Sequence, residues 1–106
     1  MPSVQKLKSI QEFEDFIKKN PKCVIDFYAD WCGPCKQMSP IFEKLSDQYL
    51  GKVAFAKVDT EEAPEISERE AITAMPTFKS YRNGQKSNST VGASAVKLEH
   101  LIHELN

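Results

Sequence analysis

The stretch from Cys23 to Ala29, "CVIDFYA", is almost continuously apolar, interrupted by Asp26. A strand with one face in water alternates apolar and polar side chains. This run does not, so it reads as a strand covered on both faces. A strand that must be covered twice belongs in a sheet layered between helices. A second apolar run, "KVAFAKVD" over residues 52–59, asks for the same cover.

The segments around these runs supply it. Ser9-Ile10-Gln11-Glu12 has the form of a capping box, and Ile10, Phe13, Phe16 and Ile17 follow at helical spacing. They predict a helix over residues 10–19, ended by Asn20-Pro21. Between the two apolar runs, Met38, Ile41, Phe42, Leu45 and Tyr49 share one helical face closed by Gly51, with a kink expected at Pro40. Residues 60–70, "TEEAPEISERE", read as a short acidic helix or helical turn with a solvated face. "PTFKSYR" and "QKSNSTV" alternate in polarity and flank Asn83-Gly84, a strong hairpin signal. Ser94 then caps a last helix with Leu98, Leu101, Ile102 and Leu105 on one face. Val4 to Leu7 is expected to add a short edge strand. Strands alternating with helices and ending in a hairpin imply an α/β fold, a central mixed sheet with helices on both faces.

At 106 residues the chain reads as one domain, 1–106, long enough to fold on its own core. A net charge of −1 without a long basic run gives no support to a nucleic-acid or membrane-surface role. No apolar run approaches the ~20 residues of a membrane span, and the first residues lack the apolar core of a signal peptide. The expectation is a cytoplasmic monomer.

Cys32-Gly33-Pro34-Cys35 directly follows the first apolar run. Such a pair could clip a metal, lock a structural disulfide or run a redox cycle. A metal needs about four ligands. Cys23 lies inside the strand, and His100 and His103 lie off the apolar stripe of the last helix, so no metal site is expected. A disulfide across two residues closes so small a loop that it restricts the unfolded chain little. The redox reading accounts for each residue. Cys32 falls at a helix N-terminus, where orphan N–H groups and the helix dipole favour a thiolate. Pro34 is tolerated in a first turn, and Gly33 lets the turn tighten so that Cys35 reaches Cys32. Asp26 alone supports two readings, a residue on a half-exposed strand face or a buried acid whose pKa rises through desolvation.

"VIDFYADWCGPCKQMSPIFEKLS" (24–46), "VAFAKVD" (53–59), "AMPTFKSYRNG" (74–84) and "VGA" (91–93) together resemble the thioredoxin family over nearly the whole chain. The resemblance implies the thioredoxin fold, a central mixed sheet flanked by four helices. It implies general protein-disulfide reduction without a bound cofactor, with electrons from NADPH through thioredoxin reductase. Protein substrates of the kind implied are peroxiredoxins or ribonucleotide reductase. By the same resemblance Cys32 attacks the substrate disulfide, Cys35 resolves the mixed disulfide, and the two form a Cys32–Cys35 disulfide. Asp26 matches the family's buried acid, which exchanges a proton with Cys35. Lys57 matches the lysine near that acid, although a strand lysine that snorkels to solvent reads the same way. The Met75–Pro76 bond is expected to be cis. Trp31, Gly33, Pro34, Met75, Gly92 and Ala93 would form a flat apolar rim for protein substrates, with Met75 free to pair with an extended chain. Gly92 also reads as a simple turn glycine. Many animal members carry a cysteine just before the Met-Pro pair; here it is Ala74, which closes off disulfide dimerisation there. Cys23 reads as an inert core thiol. A binding subunit that keeps the same fold, and a thiol oxidase or isomerase, are the competing functions; retention of both Cys32 and Cys35 weighs against the first.

Overall fold

The computed structural model describes residues 3–105. In chain order the elements are β1 (Val4–Lys6), α1 (Ile10–Lys19), β2 (Lys22–Tyr28), α2 (Gly33–Gln48), β3 (Ala54–Asp59), α3 (Pro64–Arg69), β4 (Thr77–Arg82), β5 (Gln85–Val91) and α4 (Ala95–His103). The sheet order is β1-β3-β2-β4-β5, which puts β2 in the middle. It pairs parallel with β3 and antiparallel with β4. Cys23, Val24, Ile25 and Phe27 are completely buried, as a strand covered on both faces requires. The sequence expectation of a mixed sheet with four helices is met.

Strand parity divides the core. Val24 of β2, Phe55 of β3 and Phe78 of β4 pack with Met38, Phe42 and Leu45 of α2 and with Leu98, Leu101 and Ile102 of α4. Cys23, Ile25, Phe27, Ala56, Val58 and Tyr81 face the other way, onto Phe13, Phe16 and Ile17 of α1 and Ile66 of α3. Asp26, two residues after Val24, therefore faces the α2 layer.

Local chemistry sets the boundaries. Ser9 Oγ accepts the Glu12 N–H at 3.1 Å, while Glu12 Oε1 accepts the Lys8 N–H at 2.7 Å, one residue earlier than a capping box would return it. Ser94 Oγ caps α4 through the Lys97 N–H at 3.2 Å. Asn83 and Gly84 both take positive φ, 53° and 81°, as a two-residue hairpin turn needs. α2 runs through Pro40 without a break in the helix, although Pro40 has no N–H for the ladder.

Two expectations fail. Residues of β4 do not alternate: Thr77 to Tyr81 are all buried, and β5 is almost wholly exposed. Lys79 and Ser80 are polar yet buried because each has found a partner, Glu70 and Asn88 respectively. The acidic segment 60–70 is only half a solvated face, since Ala63 and Ile66 enter the core and Arg69 binds Glu14 of α1 at 2.7 Å.

Candidate active site

Where β2 ends, Ala29, Asp30 and Trp31 lead to Cys32, the N-cap of α2. Its backbone is extended, and its sulfur accepts the Cys35 N–H at 3.2 Å. Cys32 and Cys35 are joined as a disulfide with a Cα–Cα separation of 5.3 Å, within the span a disulfide tolerates. Pro34 occupies the first turn. Gly33 lies outside the left-handed region, and a Cβ there would meet nothing within 4 Å. The tight turn thus does not itself require glycine, contrary to the sequence reading. Both cysteines are buried in this oxidised state, 4% exposed each. Their surroundings, not their exposure, distinguish them.

Cys35 looks inward. It shares a cavity of about 230 Å³ with Asp26, Tyr28, Lys36, Ser39 and Lys57. Asp26 is only 4% exposed, and its Oδ1 has no hydrogen-bond partner. An unpartnered buried carboxylate is costly. Burial accordingly pushes the Asp26 pKa up to about 7, while the charge of Lys57 pulls it back. Lys57 sits opposite Asp26 in the β2–β3 register, and its ammonium lies 5.8 Å from the centre of the Tyr28 ring. The half-exposed reading of Asp26 is thereby ruled out.

Cys32 looks toward the rim. Its sulfur lies 3.7 Å from the Met75 carbonyl oxygen, and the Met75–Pro76 bond is cis. The Gly92 N–H donates to the Pro76 carbonyl at 2.8 Å, and Gly92 has φ +105°, so the turn and rim readings of this glycine coincide. Trp31 is 66% exposed; Gly33, Pro34 and Ala93 are also at the surface. The structure thus brings the ends of three segments, 31–35, 75–76 and 92–93, around one disulfide.

A family model described as Thioredoxin matches residues 4–105. The chain belongs to the thioredoxin family. A thioredoxin from Coprinus comatus is 45% identical over 102 residues, covering 95% of this chain and 96% of its own. A solved thioredoxin structure from Plasmodium falciparum is 42% identical with a TM-score of 0.93, covering 97% of this chain and 100% of that one. A chain from a structure of "the thiol resolving mechanism in yeast mitochondrial 1-Cys peroxiredoxin via glutathione/thioredoxin systems" is 45% identical, with a TM-score of 0.92 and coverage of 97% and 96%. As a member of this family the chain is a protein-disulfide oxidoreductase, and it works by dithiol–disulfide exchange at Cys32 and Cys35.

Some neighbours of the thioredoxin site were not legible in the sequence. Trp31 Nε1 donates to Glu61 Oε2 at 3.0 Å, which fixes the exposed indole. Asp59 Oδ1 accepts the N–H groups of Glu61 and Glu62 at 3.0 and 3.3 Å, shaping the loop that presents Glu61. An aspartate at a strand end is the usual signal for such a turn. Thr60 Oγ1 lies 3.1 Å from Met75 Sδ. Among the described residues no group of three or more His, Cys, Asp or Glu side chains is placed to hold a metal ion.

Proposed function

We propose that Cys32 is the attacking thiolate, Cys35 the resolving thiol and Asp26 the group that manages the Cys35 proton. One observation carries this division: the unpartnered carboxyl oxygen of Asp26 shares its cavity with Cys35, whereas Cys32 sits at the α2 N-terminus beside the Met75 carbonyl. In the reduced protein the Cys35 N–H and the helix dipole favour negative charge on Cys32. The thiolate attacks one sulfur of a substrate disulfide, forms a mixed disulfide and expels the other sulfur as a thiolate. Asp26 then accepts the Cys35 proton. The Cys35 thiolate attacks Cys32 Sγ, releases the second substrate thiolate and leaves the Cys32–Cys35 disulfide. Two electrons pass to the substrate in each cycle.

Trp31, Gly33, Pro34, Met75, Pro76, Gly92 and Ala93 bind the substrate chain, and Lys57 tunes Asp26. NADPH, through a thioredoxin reductase, restores the dithiol. Disulfide-bearing proteins such as peroxiredoxins are the substrates; the likeness to a chain from the yeast peroxiredoxin work supports this. The cytoplasm is the proposed location, a reducing setting in which the buried thiol of Cys23 stays free.

Mass-spectrometric mapping of iodoacetamide on the reduced protein near neutral pH tests the division. Cys32 labels first, and Cys35→Ser accumulates a mixed disulfide with insulin through Cys32. First labelling of Cys35 or Cys23 would overturn it. NADPH consumption in the presence of insulin and a purified thioredoxin reductase tests the electron route.

A further inference from the structure

A broad groove lies at the opposite end of the sheet from the redox pair. Its volume is about 1130 Å³, and it is lined where α1 ends, where β2 and β3 begin and in the turn after α2. Phe16 and Phe55, one from each core layer, reach its lining but are nearly buried. Lys19, Lys22 and Lys52 stand around it, and the lining contains no aspartate or glutamate. Asp47 is close by, but its Oδ1 accepts a hydrogen bond from Ser3 at 2.8 Å. Leu50, 71% exposed, lies in the same wall.

Lys6, Lys18, Arg69 and Lys79 each pair with a glutamate. Among the described residues Lys19, Lys22 and Lys52 make no ion pair and no side-chain hydrogen bond. Nor are they consumed in capping the helices that end here. The Phe16 carbonyl is taken by Asn20 at 2.9 Å, and the Tyr49 carbonyl by the N–H groups of Lys52 and Val53 at 2.8 and 3.0 Å. Two helix C-termini carry about −0.5 charge each. Against three ammonium groups, and with the Asp47 carboxylate nearby still charged, that leaves about +1 around the groove, in a chain whose net charge is −1.

We infer that this groove is a docking site for an acidic peptide segment of a partner protein, one that inserts a large apolar side chain between carboxylates. Charge complementarity selects acidic residues, and the exposed Leu50 in the wall selects the apolar anchor. The concave shape suits a chain segment better than a lipid surface. Since β2 runs from the groove toward the cysteines, a partner seated here leaves the Cys32–Cys35 pair open to other proteins. The site would hold the oxidoreductase beside its work without occupying the active site.

The test uses the oxidised full chain and a set of six-residue peptides, glutamate throughout except for one phenylalanine moved to each position in turn. ¹H–¹⁵N spectra are recorded up to about 1 mM peptide, the weak end of measurable affinity. At least one peptide should give saturable shifts centred on Lys19, Lys22, Leu50, Gly51 and Lys52. Hexaglutamate and lysine-for-glutamate counterparts should bind more weakly, and added salt should weaken the interaction. The triple change Lys19→Gln, Lys22→Gln, Lys52→Gln should weaken binding about tenfold, as three exposed charge pairs are lost. Leu50→Ser should also weaken it. Insulin reduction should be unchanged in both variants and with peptide bound. No saturable shift with any peptide, or equal affinity in the triple variant, overturns the proposal. Co-sedimentation with phosphatidylserine–phosphatidylcholine vesicles without peptide binding would overturn it in favour of a membrane surface.

Discussion

Replacing Asp26 with alanine should stabilise the protein, and by an amount that depends on pH. The rise of the Asp26 pKa from 3.8 to about 7, at about 1.4 kcal/mol per pH unit, corresponds to about 4 kcal/mol. Solvent screening takes little from this, because the residue is 4% exposed. Below about pH 4 the carboxyl is neutral in the folded and the unfolded chain alike, and titration costs nothing. Between about pH 4 and pH 7 the unfolded chain releases the proton while the native state keeps it, so stability falls as pH rises. Above about pH 7 both states are ionised and the full penalty persists. Alanine removes this dependence and leaves a small added void beside an existing cavity, at about 1 kcal/mol. Asp26→Ala should therefore match the parent or fall slightly below it near pH 4, and exceed it by about 3 kcal/mol near pH 8. Urea unfolding of the oxidised proteins, followed by circular dichroism at several pH values, measures the difference; equal m-values show that both unfold alike. Titrations of other groups cancel between the two proteins. A difference that stays flat from about pH 4 to pH 8 would refute the reasoning, because the native carboxyl would then titrate like the unfolded one.

Lys57→Met removes the charge that opposes burial, so the Asp26 carboxyl, followed by ¹³C NMR, should titrate at higher pH; an unmoved midpoint would separate Lys57 from Asp26. Burial pushes the Cys23 thiol up to about 12, and the residue is fully buried. Cys23→Ala should keep insulin turnover and lose about 1 kcal/mol in urea unfolding, whereas lost turnover with an intact fold would give Cys23 a chemical role. Ala71, just past α3, holds φ 55°; left-handed backbone costs a residue with a Cβ about 1 kcal/mol, of which glycine's greater unfolded-state entropy takes back part. Ala71→Gly should gain about 0.5 kcal/mol, seen as a higher urea midpoint, and a lower midpoint would refute it. Tyr81 donates to Glu70 Oε1 at 2.5 Å, and the Lys79 ammonium lies 3.7 Å from the same oxygen. Glu70→Ala leaves the Lys79 ammonium its bond to the backbone carbonyl of residue 70 but removes its counter-charge and the acceptor of Tyr81, and should cost about 3 kcal/mol in urea unfolding; a loss below about 1 kcal/mol would show that water replaces the carboxylate.

What the sequence conveyed and what it hid have physical causes. The cysteine pair was legible because its parts lie within one helical turn, and the layered fold because two apolar runs lacked alternation. The burial of β4 was not, since it depends on partners distant in sequence: Glu70 for Lys79 and Asn88 for Ser80. Glu61 could not be told from Glu62, Glu65 or Glu68 by type or spacing. Only the loop turned by Asp59 delivers it to the Trp31 indole.

Asp26 lies between these cases, and its ambiguity has one origin. Within an apolar strand an acid reads equally as a gap in the core or as the mark of an exposed face. Parity decides. Cys23, Ile25 and Phe27 fill the layer of α1 and α3, so the even positions Val24 and Asp26 must face α2. A slip of one residue in the β2 register would move the carboxyl to the far face of the sheet, away from Cys35, and would expel three core side chains as it did so. The acid is thus held beside the thiol by the packing of its neighbours and not by any hydrogen bond at Oδ1. That same packing keeps water from solvating the charge, which is why the strand that builds the core also sets the carboxyl's proton affinity near neutrality.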